Sequence, residues 1–391
     1  MKEIGLSIYP DFDDLKTMMK TLDYAKTLDY KVVFTSIQLA NLGFENTGTT
    51  VDMKDKFQFL FDYCDKLDME IHVDINANML KQLGASPNNL KPIYDLKIKV
   101  LRLDDGFTPD EIALMTKNPY GIMMEDNASM LWFPREKLET IKTKGNIKQY
   151  CACHNFFPLN GTGLSFEDTL ESTRLFKSYG VKVGVFIGSL YSSKELNNIG
   201  DHIVTVEDHR YKPSYIQAME FFIYNEYDYV AFGDTHPSFD ELKRVSQVAK
   251  NDDLDIIKQH YVLNNISEEM LTGRYCIELP VWFDQRMDKE LKDKLTSMVF
   301  QARADQPDVL VRATQSRDIC GCTCYEPVEQ LPYSLVIMNE YANRYNGEIQ
   351  IPLVHLPAEQ HANVIGQVKP YAKRLVDAMK YGQIPFVLKE A

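Results

Sequence analysis

Polar side chains follow a series of short apolar runs in this sequence, each at the point where the run ends. In Tyr150–Pro158 an apolar run stops and is followed at once by His154 and Asn155. A buried parallel strand that ends in polar residues is how an α/β barrel carries side chains to the rim where its chemistry occurs. For this strand end alone, the preferred interpretation is that His154 is a buried structural histidine and Asn155 a turn residue. Repetition of the pattern along the chain favours a functional site.

The polar ends of these runs predict one shared pocket. They present Ser7, Tyr9, Thr35, Ser36, Asp74, Asn76, Arg102, Asp104, Asp105, Glu125, Asp126, Asn127, His154, Asn155 and Asp234, and a later loop adds Glu207, Asp208, His209 and Arg210. Paired carboxylates in unequal surroundings are what the cleavage of a glycosidic bond needs. Arginine and histidine beside them suit an anionic group such as a phosphate.

Metal chemistry has weaker support in the sequence. Asp, Glu and His at strand ends also serve divalent-metal hydrolases, but the chain has no His-x-His or His-x-x-x-His pair. Cys320, Cys322 and Cys324 alternate, so on a strand they would share one face and suit a soft metal. Because no fourth ligand stands at a recognisable spacing, free thiols are the preferred interpretation.

Eight strand-like runs alternate with helical segments in residues 1–250. The runs are Ile4–Tyr9, Val32–Ser36, Glu70–Ile75, Val100–Asp104, Gly121–Glu125, Gln149–His154, Lys182–Gly188 and Tyr229–Gly233. Capping boxes from Thr108 to Glu111 and from Ser238 to Glu241 predict helix starts after the fourth and eighth runs. Gly180 predicts a helix end before the seventh. This alternation is typical of an α/β fold, a (β/α)8 TIM barrel.

The sequence changes character after Lys250. Residues 254–391 carry short runs of strand formers with few long helices, which predicts a smaller β-rich second domain. This domain holds Arg303, Arg312 and Arg317 within a short stretch. By default these arginines lie on solvated faces with carboxylate partners. Alternatively, one of them reaches a ligand of the barrel, because pockets favour domain interfaces.

Composition and charge exclude several classes of protein. A formal net charge of -13 argues against nucleic-acid binding, which needs a basic surface. The first residues lack the apolar core of a signal peptide, and no run approaches the length of a membrane helix, so we predict a cytoplasmic protein with no membrane partner. The 7 cysteines, an odd number, fit reduced thiols. The oligomeric state is left open.

Motifs along the whole chain also resemble those of a known family. The matching pieces are Gly5–Pro10, Phe34–Ser36, Val73–Asp74, Leu101–Asp104 with Gly106–Phe107, Asn127–Ser129, His154–Phe156 with Pro158, Glu207 with His209–Arg210, Gly233–Asp234, Arg312 with Ser316–Arg317, Tyr345 with Gly347–Glu348, and Asn363–Val364. In their order and spacing they resemble the bacterial 6-phospho-N-acetylmuramidases, a glycoside hydrolase family formerly described as outer surface proteins.

The resemblance implies a TIM barrel followed by a cyclophilin-like β-barrel domain. It implies a cytoplasmic glycosidase of cell-wall recycling that needs no cofactor and cleaves the β-1,4 bond between N-acetylmuramic acid 6-phosphate and N-acetylglucosamine. The expected catalytic carboxylates are Asp74, Asp104 and Glu207. The expected substrate-binding residues are Ser7, Tyr9, Ser36, Arg102, Asn127, His154, Asn155, His209, Arg210, Arg312 and Arg317, with His209, Arg210 and one of the last two at the phosphate.

The sequence departs from the family pattern at two positions near the expected site. Phe157 stands where the family has a tyrosine, and Asp126 stands where it has a leucine, which would place an extra carboxylate near the mouth. Two other functions stay open at this point. One is a sugar-phosphate sensor in which the barrel binds without catalysis, and the other is a metal-dependent TIM-barrel hydrolase.

Overall fold

Eight parallel strands close into a barrel in the first part of the chain. The structure, a computed structural model, describes residues 2–37, 50–129, 134–191, 202–381 and 383–391. The chain divides into two compact units, Lys2–Ser246 and Gln247–Ala391. The barrel strands are β1 (Glu3–Ser7), β2 (Val32–Ser36), β3 (Glu70–Ile75), β4 (Val100–Leu103), β5 (Met123–Asn127), β6 (Tyr150–Cys153), β7 (Lys182–Ile187) and β8 (Tyr229–Phe232).

Each barrel strand pairs in parallel with the next along the chain, and β8 closes on β1 through Ile4 and Val230. The predicted TIM barrel is therefore confirmed. One boundary matters for the site: β5 begins and ends two residues later than the predicted run, so Glu125 lies inside the strand and is buried. Similarly, β6 ends at Cys153, and His154 is the first residue beyond it.

Helices alternate with the strands on the outside of the barrel. They are α1 (Leu15–Thr27), α2 (Thr50–Lys66), α3 (Ala77–Gln82), α4 (Lys91–Asp95), α5 (Pro109–Met115), α6 (Pro134–Lys144), α7 (Phe166–Ser178), α8 (Ser214–Phe222) and α9 (Phe239–Val248), with 3-10 turns at Ile147–Gln149 and Glu207–His209. Both predicted capping boxes form: Thr108 and Glu111 bond reciprocally before α5, and Ser238 and Glu241 do so before α9.

The barrel interior has an apolar layer and a charged layer. Aromatic and aliphatic side chains pack together from several strands, including Tyr9, Phe34, Phe186 and Tyr229, with Phe156 against them. Because side chains alternate along a strand, the polar residues of Glu70-Ile71-His72-Val73-Asp74 share one face of β3. His72 is buried within the barrel, and Asp74 lies toward its C-terminal end. These polar groups replace part of the apolar filling that barrels usually have.

The second unit is built on a mixed sheet. Its strands are β9 (Ile277–Phe283), β10 (Val299–Gln301), β11 (Leu310–Ala313), β12 (Ser334–Met338), β13 (Ile349–Pro352), β14 (Ala362–Val368) and β15 (Pro385–Glu390), in the order β10-β15-β9-β14-β12-β13-β11. A bridge from Ala302 to Ala313 joins the ends of the two edge strands, so the sheet is a nearly closed barrel. Alongside it lie α10 (Leu254–His260), α11 (Glu268–Leu271), α12 (Lys289–Thr296) and α13 (Lys373–Tyr381), with 3-10 turns at Glu340–Tyr345 and Pro370–Ala372.

Membrane insertion has no candidate helix in the described ranges. None of the helices there combines the length and the apolar character that crossing a bilayer requires.

Gly184 is the described glycine of the barrel at which an added methyl group has the least room. A Cβ added there would lie 2.0 Å from the Tyr229 ring, whose hydroxyl holds Glu125. We expect Gly184→Ala to lower the free energy of unfolding by about 1–3 kcal/mol, the usual cost of overpacking, in urea titrations. Gly121→Asn is the control, because its surroundings are open and asparagine tolerates its φ of +74°. Equal losses in both variants would contradict this packing.

Candidate active site

Arg102 is the cation at the centre of the charged layer. It is buried on β4, and its Nη1 donates to the carbonyl oxygen of Cys153 at 3.1 Å while its Nη2 donates to Oδ1 of Asn155. Two carboxylates flank it: Asp74 Oδ1 lies 3.6 Å from Nε, and Glu125 Oε1 lies 3.5 Å from Nη1. A buried guanidinium needs such partners, because an uncompensated charge is very costly away from water.

Asp74 belongs to the charged layer and is partly exposed at the mouth of the barrel. Its side chain remains 15% exposed, and Ser36 donates a 2.8 Å hydrogen bond to its Oδ2. Burial, together with the nearby carboxylates of Asp104 and Glu125, raises the pKa of Asp74 to about 6 against the opposing effect of Arg102 and Ser36. A carboxyl group of this kind holds a proton over part of the neutral range, as a general acid must.

Asp104 lies at the next strand end, directly after β4. Its side chain is exposed, and its backbone N–H donates to the carbonyl oxygen of Ile75 at 3.0 Å. That bond holds the ends of β3 and β4 side by side. Asp104 is close enough to Asp74 to raise the pKa of Asp74 electrostatically. The mouth therefore presents two carboxyl groups in unequal surroundings, one mostly buried and one open to water.

Below Arg102, Glu125 is paired with His72. The His72 Nδ1 lies 2.8 Å from Glu125 Oε2, the Tyr229 hydroxyl donates to the same oxygen at 2.7 Å, and His72 Nε2 lies 3.1 Å from Glu70. Burial alone would lower the pKa of His72, but Glu125 and Glu70 raise it to about 9. The pKa of Glu125 is lowered, because His72 and Arg102 outweigh its burial. The pair is thus imidazolium and carboxylate.

Several other predicted residues bond to strand ends around this layer. The hydroxyl of Ser7 donates to the Phe232 carbonyl at 2.6 Å, and that of Tyr9 donates to the Gly233 carbonyl at 3.2 Å. Burial raises the pKa of Tyr9, and Asp234 and Asp74 add to this effect. Asn127 is half-buried and accepts from the N–H of Ser129 through its Oδ1.

His154 does not take the place that its position in the sequence suggested. It is fully buried, with Nε2 2.8 Å from the Thr173 hydroxyl on α7 and Nδ1 3.3 Å from the Ser129 hydroxyl. Burial lowers its pKa to about 3, so it is a neutral ring between β6 and α7. Alternation along the chain explains the difference from Asn155, whose Oδ1 accepts from Arg102.

Glu207 and Arg210 form a closed hydrogen-bond network. The carboxylate of Glu207 accepts from the N–H groups of Gly161 and Gly163, both at 2.8 Å, and from Nε and Nη2 of Arg210. The remaining N–H groups of Arg210 donate to the carbonyl oxygens of Phe157, Leu159 and His202. All five N–H donors of Arg210 are therefore engaged within the protein, and its side chain is 1% exposed.

His209 and Asp126 also lie away from the mouth. His209 is fully buried, with Nε2 2.9 Å from Glu220, and Lys212 binds the same carboxylate at 3.0 Å. Asp126, expected to add a carboxylate near the mouth, accepts from the Tyr150 hydroxyl at 2.7 Å and pairs with Lys137 at 2.8 Å. Because it follows Glu125 on the same strand, it points to the opposite face of the barrel wall.

Arg312 and Arg317 belong to the second unit, where both bind the buried Glu348. Their role in binding a phosphate stays a prediction. Of the predicted site residues, the structure brings together Ser36, Asp74, Arg102 and Asn155, with Asp104 beside them.

Sequence reasoning passed over His72 and Tyr229 as members of this layer, and it listed Glu125 among the strand ends without giving it a role in the site. A signal was present for His72, because it precedes Asp74 by two residues on the same strand face. For Glu125 the two-residue error in the predicted run placed the residue at the strand end, whereas it lies inside β5. Within the described ranges, no three His, Cys, Asp or Glu side chains are grouped to hold a metal ion, and this includes Cys320, Cys322 and Cys324.

Comparison with known proteins decides the family. Residues 4–247 match the family model described as 6-phospho-N-acetylmuramidase, N-terminal, and residues 277–388 match its C-terminal counterpart. This chain belongs to the 6-phospho-N-acetylmuramidase family. The family is one of glycoside hydrolases, so the chain is identified as an enzyme of that class, and the resemblance drawn from the sequence motifs is confirmed.

Solved structures support the fold over the whole chain. A crystal structure of an uncharacterized B. cereus protein matches with 24% identity and a TM-score of 0.80, covering 100% of this chain and 99% of that one. A conserved protein of unknown function from Enterococcus faecalis matches with 21% identity and a TM-score of 0.69, covering 99% and 96%. No curated protein matches the chain.

The Glu207 network can be separated from catalysis by Glu207→Gln. If the carboxylate is structural, the variant keeps its kcat but loses about 1–3 kcal/mol of unfolding free energy, as expected for charged hydrogen bonds. Arg210 holds the pKa of Glu207 near 2, below its ordinary value, so this contribution is complete at pH 7 and is lost as pH falls toward 2. Urea unfolding of both proteins at pH 7 and at lower pH measures it. Complete loss of activity with unchanged stability would restore Glu207 as a catalytic carboxylate.

Proposed function

We propose that this chain hydrolyses the β-1,4 bond between 6-phospho-N-acetylmuramic acid and N-acetylglucosamine. The reaction class follows from the family. The observation that carries the assignment of residues is the Asp74 carboxyl, partly buried at a strand end with a raised pKa, beside the exposed carboxyl of Asp104. Glycosidases use two such groups in unequal surroundings on the two sides of the scissile bond.

In this proposal Asp74 is the general acid. It donates its proton to the glycosidic oxygen as the bond to the sugar carbon breaks, so that the alcohol leaves neutral. Ser36 keeps the carboxyl group oriented through the bond to Oδ2. Arg102 then stabilises the carboxylate that forms, because its guanidinium lies 3.6 Å from Oδ1.

Asp104 supplies the second carboxylate. It activates the attacking water, attacks the sugar carbon itself, or orients the 2-acetamido group of the substrate so that this group attacks; the product anomer measured by NMR distinguishes inversion from retention. Asn155 and Arg102, joined by a hydrogen bond, form a polar wall of the same mouth. Such paired groups hold hydroxyls of a sugar in place.

The substrate also suggests where the enzyme acts. A sugar phosphate carries about two negative charges and does not cross a bilayer unaided. Its hydrolase is therefore expected in the compartment where the sugar is phosphorylated. We propose the cytoplasm and a role in recycling cell-wall fragments.

Removing the acid tests the assignment of Asp74. Asp74→Asn should lower kcat on the natural disaccharide about 10²–10⁴-fold. On a 2,4-dinitrophenyl glycoside of the same phosphosugar, whose leaving group needs no proton, the loss should be much smaller. Asp104→Asn should lose activity on both substrates. If Asp74→Asn loses activity on both substrates equally, Asp74 is not the acid.

A chelator separates the glycosidase from a metal-dependent enzyme. Added EDTA should leave the rates unchanged, and a loss of activity that a divalent metal reverses would favour a metal-dependent hydrolase.

The pH profile tests the electrostatic role of Glu125. Because the acid must carry its proton, kcat/KM should fall as pH rises through about 6, the pKa of Asp74. Glu125→Gln removes a negative charge that raises this pKa, so the falling limb should move to lower pH. Glu220→Gln is the matched control, since Glu220 is another fully buried glutamate paired with a histidine, His209. A limb that stays in place in Glu125→Gln, or moves equally in both, would contradict the coupling.

A further inference from the structure

Three phenylalanine rings from different parts of the barrel meet in one group. Phe34 lies on β2, Phe186 lies on β7, and Phe156 lies in the loop that follows β6. The ring centres are 5.1 Å apart for Phe34 and Phe186, 5.2 Å for Phe156 and Phe186, and 5.9 Å for Phe34 and Phe156. The interplanar angles lie between 77° and 90°, the edge-to-face arrangement that aromatic pairs prefer. We call these three residues the aromatic trio.

Phe156 is the member of the aromatic trio that solvent reaches most. Phe34 is 3% exposed and Phe186 is 1% exposed, whereas Phe156 is half-buried and packs against the same core cluster. A single exposed apolar side chain is common on protein surfaces and by itself indicates no function. What Phe156 can bind therefore depends on the groups beside it.

Phe156 is connected to the charged layer from two directions. Side chains alternate along a strand, so Phe34 shares a face of β2 with Ser36, which donates to Asp74 at 2.8 Å. Asn155, which directly precedes Phe156, accepts from the central guanidinium of the layer. Because the carboxyl ends of parallel strands meet at one end of a barrel, the Phe156 ring lies at the same mouth as the proposed acid.

Hydrogen bonds fix the backbone before Phe156. The N–H of Asn155 donates to the Ser129 hydroxyl at 2.8 Å, and the carbonyl of Asn155 accepts from the Thr205 hydroxyl at 2.8 Å. The same Thr205 oxygen accepts from the N–H of Phe186 at 3.1 Å. Thr205 thus joins the loop of Phe156 to β7, the strand that carries one of its ring neighbours.

The backbone after Phe156 is fixed as well. The N–H of Phe157 donates to the carbonyl of Val204 at 2.8 Å, and the carbonyl of Phe157 accepts from Nη1 of Arg210 at 3.0 Å. Glu207 holds that guanidinium through its Nε and Nη2. The Glu207 network therefore supports the loop that carries Phe156. A side chain held in this way loses little conformational freedom when a ligand binds.

We propose that Phe156 binds the apolar face of one of the two sugar rings of the substrate, an inference that rests on the proposed function. In these pyranoses the substituents are equatorial, so each face of the ring presents axial C–H groups. The neighbouring oxygens make these hydrogens slightly positive, which matches the negative face of an aromatic ring. An apolar surface beside a few polar groups, here Asn155 and Arg102, is the usual composition of a ligand site.

The role of Phe156 differs from that of the proposed acid. Contact with the C–H face holds the sugar ring equally in the ground state and in the transition state. Loss of such uniform binding raises KM and leaves kcat unchanged, whereas loss of the acid lowers kcat. Phe156 is therefore a substrate-binding residue and takes no part in proton transfer.

A thio-linked analogue of the phosphorylated disaccharide, with sulfur in place of the glycosidic oxygen, tests this contact without turnover. In saturation-transfer NMR, brief irradiation of the aromatic protons of the wild type should reach the ring C–H protons of the bound analogue. Phe156→Leu keeps an apolar side chain but removes the ring, so this transfer should fall. The Kd of the analogue, measured by calorimetry, should rise about three- to tenfold.

The matched control is Phe59→Leu. Phe59 is another half-buried phenylalanine of the first unit, on α2, and its ring stacks on that of Tyr63 at 5.4 Å. This variant should keep the Kd and the transfer of the wild type. In kinetics on the hydrolysable disaccharide, Phe156→Leu should raise KM about three- to tenfold at constant kcat, and Phe59→Leu should change neither.

The outcomes separate this contact from the proposed function. If the wild type binds the analogue without aromatic transfer to the ring protons, the contact is overturned. An unchanged Kd in Phe156→Leu, an equal rise in Phe59→Leu, or a loss of kcat at constant KM would also overturn it. In each of these cases hydrolysis by the wild type still supports the proposed function. A wild type that neither binds the analogue nor cleaves the disaccharide would overturn both.

Discussion

The ion pairs of Arg102 govern the chemistry of the barrel interior. A guanidinium on β4 cannot be buried without partners, and Asp74 and Glu125 lie on either side of it. His72 and Tyr229 then stabilise Glu125 as an anion. As a result the electrostatic balance at the mouth depends on groups several residues away from it. The pKa of Asp74 reflects this balance, because burial and the neighbouring carboxylates outweigh the arginine.

Arg210 and His209 are held by partners within the protein. Arg210 satisfies all of its donors by tying Glu207 and three backbone carbonyls together, which fastens the loop around Gly161 and Gly163. His209 is similarly paired with Glu220. These residues lie on the connection between β7 and α8. In the second unit, Arg312 and Arg317 share the single carboxylate of Glu348.

The proposed reaction draws on an arginine whose charge is already paired within the barrel. Arg102 is buried and held by charges of opposite sign, which suits it to stabilising a carboxylate during the reaction. The family assignment gives the reaction class, and the proposal gives Arg102 its role within that reaction.

The sequence by itself determined the barrel, the β-rich second unit and the family. Strand formers, capping boxes and helix ends are local signals, and the order of the motifs runs along the chain. It also placed Asp74, Asp104, Arg102 and Asn155 at strand ends. Tertiary structure alone decided which polar residues turn inward, since one residue along a strand reverses the face: Glu125 points in and Asp126 out, Asn155 reaches Arg102 and His154 does not. It also decided that Arg210 has its donors satisfied, because hydrogen-bond partners distant in sequence cannot be read from spacing.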